Sequence, residues 1–133
     1  MIDVAPEINT RVANALRAAF PNIDVSDDYI KAPSRFPHVS VTEEDNIDVP
    51  QFTTDSKQMV RLVFNVNVYS NKARGKKTEA RKIMAVVDDV MHSMNALRTF
   101  MHPIPNMQNH TIYRLTAQYA LSTDGKYFYR RQS

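Results

Sequence analysis

One switch of hydrophobic period, inside the stretch from Met59 to Met94, constrains this chain more than anything else in it. At first, Val60, Leu62, Phe64, Val66 and Val68 fall on one face, and Arg61, Asn65, Asn67 and Tyr69 on the other. Period two over that length is a half-buried strand. Past the turn Asn71–Lys77, Ala80, Ile83, Met84, Val87, Val90, Met91 and Met94 recur at three- and four-residue steps. That spacing is one face of a helix. A long strand delivering directly into a long helix calls for a mixed architecture, with the other elements packed on this spine.

The flanking sequence supplies those elements. Pro6 suits a first helical turn, and Ile8, Val12, Ala15, Leu16, Ala19 and Phe20 trace an apolar stripe. Pro21, which lacks an amide donor, stops that helix, so it is expected over about Glu7–Phe20. A short extended piece is expected near Ile23–Val25. Phe36–Glu43 alternates as a strand, with Pro37 at an edge or at its start. Asp45–Lys57 is polar, holds Pro50 and shows no period, which reads as a long hairpin loop; loops of that length in small domains are usually functional or disordered.

Gly75, one of two glycines, belongs where the backbone needs freedom. Thr78 is a candidate cap for the second helix, and Asn95 lies near its end. Pro103 and Pro105 make the next segment extended and non-helical. In Thr111–Leu121, Tyr113, Leu115, Ala117, Tyr119 and Leu121 share one face of a strand. Asp124-Gly125 is a two-residue hairpin signal leading to a last strand, Lys126–Arg130.

The fold expected is therefore α+β: a mostly antiparallel four-stranded sheet with two helices packed on one face, in the order helix-strand-strand-helix-strand-strand. The chain has 133 residues, which favours a single domain, with residues 1–5 a loose arm and 131–133 an exposed tail.

Several function classes lose support on composition. There is no cysteine, so disulfides, thiol nucleophiles and cysteine metal sites are excluded. No apolar run approaches a membrane span, and no charged leader precedes an apolar block. Two glycines leave no phosphate-cradling loop or dinucleotide fingerprint. None of the four histidines, His38, His92, His102 and His110, sits at the spacing of a helical zinc pair. His92 follows Asp88 by four residues, which reads as a helix-surface contact. Asp88 and Asp89 are adjacent and diverge around the helix. Asp27-Asp28 and Glu43-Glu44-Asp45 lack the glycine-centred loop of a calcium site. No catalytic, metal or cofactor site is expected, and no cofactor.

Charge is uneven along the chain. Residues 1–56 carry a net −6 and residues 57–133 a net +9, an asymmetry common in interaction proteins. From Lys72 to Lys82, six of eleven residues are basic: Lys72, Arg74, Lys76, Lys77, Arg81 and Lys82. Such a cluster suits an acidic protein surface or phosphates. No aromatic residue interrupts it, which argues against base stacking. Met84, Met91 and Met94 read as core filler. Tyr127-Phe128-Tyr129 places aromatics on both faces of a strand, so at least one is exposed unless another subunit covers it.

Three segments taken together resemble the tail terminator, or tail-completion, proteins of long-tailed bacteriophages and prophages. They are Phe36-Pro37-His38-Val39-Ser40-Val41-Thr42-Glu43-Glu44-Asp45-Asn46; Val66-Asn67-Val68-Tyr69-Ser70-Asn71-Lys72 through Gly75-Lys76-Lys77 to Asp88-Asp89; and Pro103-Ile104-Pro105-Asn106 with Thr111-Ile112-Tyr113-Arg114. The resemblance covers about Arg35 to Arg130. It implies a virion protein, made in the host cytoplasm, that forms a ring, typically a hexamer, on the head-proximal end of the tail tube. The ring would stop tube polymerisation and meet the head-side connector or stopper, with DNA passing through its lumen. It implies no catalysis and no membrane.

Residues facing the ring's axial partners or lumen are expected in the basic turn (Lys72, Arg74, Lys76, Lys77, Arg81, Lys82) and in the 45–57 loop (Asp45, Asp48, Phe52, Asp55). Two rival readings are another neck protein, a head-completion or stopper subunit sealing packaged DNA, and a nucleic-acid-binding module using the basic turn.

Overall fold

The computed structural model describes residues 1–30, 32–50, 58–105 and 109–129. In chain order these form α1 (Ala5–Ala19), β1 (Asp24–Ser26), β2 (His38–Asp48), β3 (Val60–Ser70), α2 (Lys76–Ser93), β4 (Leu97–Ile104), β5 (Tyr113–Thr123) and β6 (Phe128–Tyr129). The six strands make one mixed sheet in the order β1-β2-β3-β5-β4, with β6 paired to β5. Only β1 and β2 run parallel; every other pairing is antiparallel.

The α+β class holds and the sheet is mostly antiparallel, but it has six strands rather than four and includes one parallel pair. The two strands not counted in the expected sheet are the three-residue β1, which falls on the short extended piece expected near Ile23–Val25, and β4, which occupies the extended Pro103 segment. β2 also runs on to Asp48, so Asp45 and Asp48 lie in a strand rather than in a loop. Residues 51–57, and with them Phe52 and Asp55, fall outside the described residues.

The spine forms as its periods dictate. Val60, Leu62, Phe64, Val66 and Val68 are all buried on one face of β3. Leu115, Ala117, Tyr119 and Leu121 of β5 join them. α2 covers this face, contacting β3 and β5, and α1 packs against α2. Ala80, Ile83, Met84, Val87 and Met91 of α2 and Ile8, Val12 and Leu16 of α1 complete one core. Met84, Met91 and Met94 are indeed core residues. Burial of each large side chain here contributes ~1.5–3 kcal/mol.

Helix ends follow local chemistry. α1 starts two residues earlier than expected, with Pro6 in its first turn, where a missing amide costs no hydrogen bond. It closes with Phe20 N donating to Leu16 O at 2.7 Å, just before Pro21. α2 begins at Lys76 because Gly75, at φ 83°, makes the left-handed step out of β3. Thr78 is therefore inside the first turn and is not the cap. Asn95, at φ 62°, makes the corresponding step out of α2 into β4.

Residues 2–4 are tied down rather than loose. Val4 is buried, Ile2 packs against the core, and Asn46 Nδ2 donates to Ile2 O at 2.9 Å. The Asp124 turn is a four-residue loop, because Thr123 pairs with Phe128. Asp124 Oδ1 accepts from the amides of Lys126 and Tyr127 at 2.9 and 2.7 Å. Gly125 supplies the positive φ of 92° that this loop needs.

Candidate interaction surface

The basic turn is displayed by the junction of β3 and α2. Ser70 ends β3 and its Oγ donates to Glu79 Oε1 at 2.7 Å, fastening the turn to the helix it precedes. Glu79 N donates to Gly75 O at 2.8 Å. On this frame Lys72, Arg74, Lys77, Arg81 and Lys82 are exposed, and none forms an ion pair with another described residue. Lys76 differs: it is half-buried and its Nζ donates to His110 O at 2.9 Å. Five of the six predicted cations are thus open for contact, while Lys76 holds the loop before β5.

The acidic candidates lie elsewhere. Asp45 pairs with Val63 and Asp48 with Val60, at the opposite end of β3 from the basic turn. Ten residue steps separate Val60 from Ser70, about 34 Å of strand. The two candidate groups therefore form no common patch; they mark opposite ends of the sheet. Glu43 joins the acidic end, its carboxyl held above the usual range by partial burial and then by the Asp3 carboxylate.

Register defines the sheet face away from the helices. Paired residues in an antiparallel ladder share a face, and three of the rows that cross the sheet from β2 to its far side lie toward the acidic end. Thr42, Asn65, Gln118 and Phe100 form one row, Asp45, Val63, Ala120 and Leu97 the next, and Ile47, Arg61, Ser122 and Tyr129 the third. A polar chain runs through the first: Thr99 Oγ1 to Gln118 Oε1 at 2.9 Å, and Gln118 Nε2 to Asn65 Oδ1 at 3.1 Å. Apolar groups sit open at the rims: Ile47 on β2, Leu97 and Phe100 on β4, and Tyr129 on β6. Tyr127 and Tyr129 are the exposed aromatics expected of their triplet, while Phe128 packs on the core.

A third cluster was not foreseen. His38 is fully buried. Its Nδ1 lies 2.9 Å from Asp24 Oδ2 and its Nε2 3.2 Å from Ser26 Oγ. Ser26 Oγ donates onward to Asp28 O at 2.9 Å, so the hydroxyl proton is committed to the backbone. The three residue types are those of a hydrolytic triad, but the donation to Asp28 makes this a clasp between β1 and β2. No periodicity in the sequence announces it, because it depends on the parallel register of Asp24 with His38.

Asp88 gathers three donors, the expected helix-surface contact with His92 among them. Tyr119 Oη donates to Asp88 Oδ1 at 2.8 Å, and Arg98 Nη1 donates to the same oxygen at 2.9 Å. His92 Nδ1 lies 3.1 Å from Oδ2, with the imidazole more than half exposed. Burial, and then the Asp88 hydrogen bond, push the Tyr119 phenol far above its ordinary pKa. Among the described residues no group of three acidic, histidine or cysteine side chains is arranged to hold a metal, and no helix is long and apolar enough to cross a membrane.

No protein-family profile and no curated protein sequence matches the chain. Solved structures do. A chain from the virion of a native gene transfer agent particle is 15% identical, with a TM-score of 0.56 over 89% of this chain and 96% of that one. A chain of the anti-feeding prophage cap, described as a tube-terminating cap, is 12% identical with a TM-score of 0.45, over 99% of this chain and 60% of that one. At these identities the first likeness is one of fold: this chain has the architecture of a protein in the gene transfer agent virion.

Proposed function

We propose that this chain is a tail terminator: a structural virion subunit that forms a ring, typically a hexamer, at the head-proximal end of a phage-type tail tube. The ring ends tube polymerisation and joins the tail to the head-side connector, and DNA passes through its lumen. In this role the chain binds and does not catalyse. The observation that carries the reading is the fold shared along nearly the whole of both chains with a protein of the gene transfer agent virion.

The placement of charge supports two axial partners. Lys72, Arg74, Lys77, Arg81 and Lys82 crowd one end of the sheet, and Asp45 and Asp48 the other. With strands running along the ring axis, one end meets the tube and the other the connector, each by a charge-selective contact.

Deletion of the gene, followed by electron microscopy of the particles made, tests this. DNA-filled heads beside detached tails of irregular or excessive length are expected. Empty heads beside tails of normal length would instead make the chain a stopper, and normal infectious virions would refute a part in the neck altogether.

A further inference from the structure

The sheet ends in two unpaired edges that match one another. β1 pairs only with His38–Ser40, so the outer edge of β2 from Val41 to Asp48 has no partner strand among the described residues. On the far side, β4 pairs among the described residues only with β5, leaving the outer edge of Leu97–Ile104 without a partner strand there. Both free stretches are eight residues long. Unpaired edges of this length are templates for another strand, and natural proteins shorten or cover them unless they are used.

We propose that these two edges pair with each other between neighbouring copies of this chain, β4 of one subunit adding to β2 of the next. The proposal deepens the ring reading and rests on it. Four observations on the two edges support a second copy as the occupant.

Strand direction is right. Three successive antiparallel pairings, β2 to β3, β3 to β5 and β5 to β4, leave β4 running opposite to β2. A copy placed beside the first in the same orientation therefore meets it as an antiparallel ladder.

Charge is compatible as well. The β2 edge carries Glu43, Glu44, Asp45 and Asp48 with no base, and β4 carries no acid; its His102 is exposed, while its Arg98 is already paired with Asp88. Pairing unlike edges keeps the acids apart, whereas β2 on β2 would oppose them directly.

The apolar groups also agree. Ile47 is 48% exposed on the β2 rim and Leu97 49% exposed on the β4 rim, and register puts both on the face away from the helices. In a continuous sheet they come onto one surface, where each can shield part of the other from water.

Finally, the two edges are different surfaces on opposite sides of one subunit. Such a contact is head-to-tail and repeats from copy to copy, as a closed ring requires.

The absence of native cysteine makes a direct test simple. The variants Asp45→Cys, Thr99→Cys and the double variant are expressed in cells producing the particles and treated with a short bis-maleimide, whose span tolerates a shift of register. Native mass spectrometry and electron microscopy of the untreated chain report self-association independently.

The double variant is expected to give a ladder of covalent oligomers that ends at the ring, and each single variant only monomer. A mixture of the two single variants should stop at dimer. Self-association with no Asp45–Thr99 cross-link overturns the edge pairing and leaves the ring reading standing. A dimer from Thr99→Cys alone overturns it in favour of a two-fold contact. A chain that never self-associates, even in particles, overturns both.

Discussion

Asp24 Oδ2 lies 2.9 Å from Nδ1 of His38, and the histidine is sealed between β1 and β2 while the carboxylate stays about one-third exposed. The pair fixes the parallel step between β1 and β2. Replacing His38 by Ala removes a buried ring and two hydrogen bonds, so the loss expected is ~2–4 kcal/mol. Asp24→Ala, which breaks one bond near solvent, should cost ~1 kcal/mol. Urea denaturation midpoints of the two variants check this order, and equal losses would show that the clasp is not centred on His38.

A second ranking concerns Asp88 and Tyr119. Tyr119→Phe removes one donor and leaves Asp88 bonded to Arg98, for an expected loss of ~1 kcal/mol. Asp88→Ala strands the buried Tyr119 hydroxyl and frees Arg98 together, which should cost ~2–3 kcal/mol. The same denaturation assay, with the double variant added, gives the coupling.

Acid behaviour of the β5–β6 loop follows from Asp124. The amides of Tyr127 and Lys126 and the Tyr129 hydroxyl hold its carboxyl down to a pKa of about 2, against an ordinary value of 3.8. A depressed carboxylate pKa adds stability above the unfolded value, and that stability is lost as pH falls through the folded value. The loop should therefore stay ordered at neutral pH and loosen between about pH 4 and pH 2. Carbon-detected NMR titration of the Asp124 carboxyl checks this; a midpoint near 3.8 would contradict it.

Charge reversal of the basic end should spare the fold and impair joining. Lys77 and Arg81 are exposed and make no ion pair with a described residue, so Lys77→Glu with Arg81→Glu should leave the melting temperature unchanged. The yield of joined particles should fall by about tenfold or more, corresponding to ~1.4 kcal/mol or more lost at the contact. A salt-titrated DNA-binding assay on the unaltered chain should show no steep loss of affinity, since the turn is read as a protein contact. Lys76 is a poorer choice, because its bond to His110 O mixes structure with contact.

The spine was legible because nothing interrupts its periods. Val60–Val68 alternates without a break, and the α2 stripe runs unbroken from Ala80 to Met91. The edge strands were legible only in part, β2 as far as Glu43 and β4 only as an extended segment, for a shared reason. β4 has a register shift between Arg98 and Phe100, and β2 has one between Glu43 and Asp45. One extra residue reverses the alternation midway, so neither stretch shows period two over its full length. Pro103 obscured β4 further, yet an edge strand tolerates a proline on its open side. The acidic run in β2 looked like a loop because edge strands carry charge that central strands do not. The basic turn lies at the strand–helix junction where the sequence placed it, with five of its six cations exposed and Lys76 half-buried. Its separation from Asp45 and Asp48 by the length of β3 could be seen only once β2 was known to continue to Asp48.

The most direct test of the central claim is to locate the chain in assembled particles. Cryo-electron microscopy of particles carrying a small gold-binding tag after Ser133 should place the label in a ring at the junction of tail and head, once per particle. Label on the capsid shell, along the tube or at the distal tip would contradict the assignment.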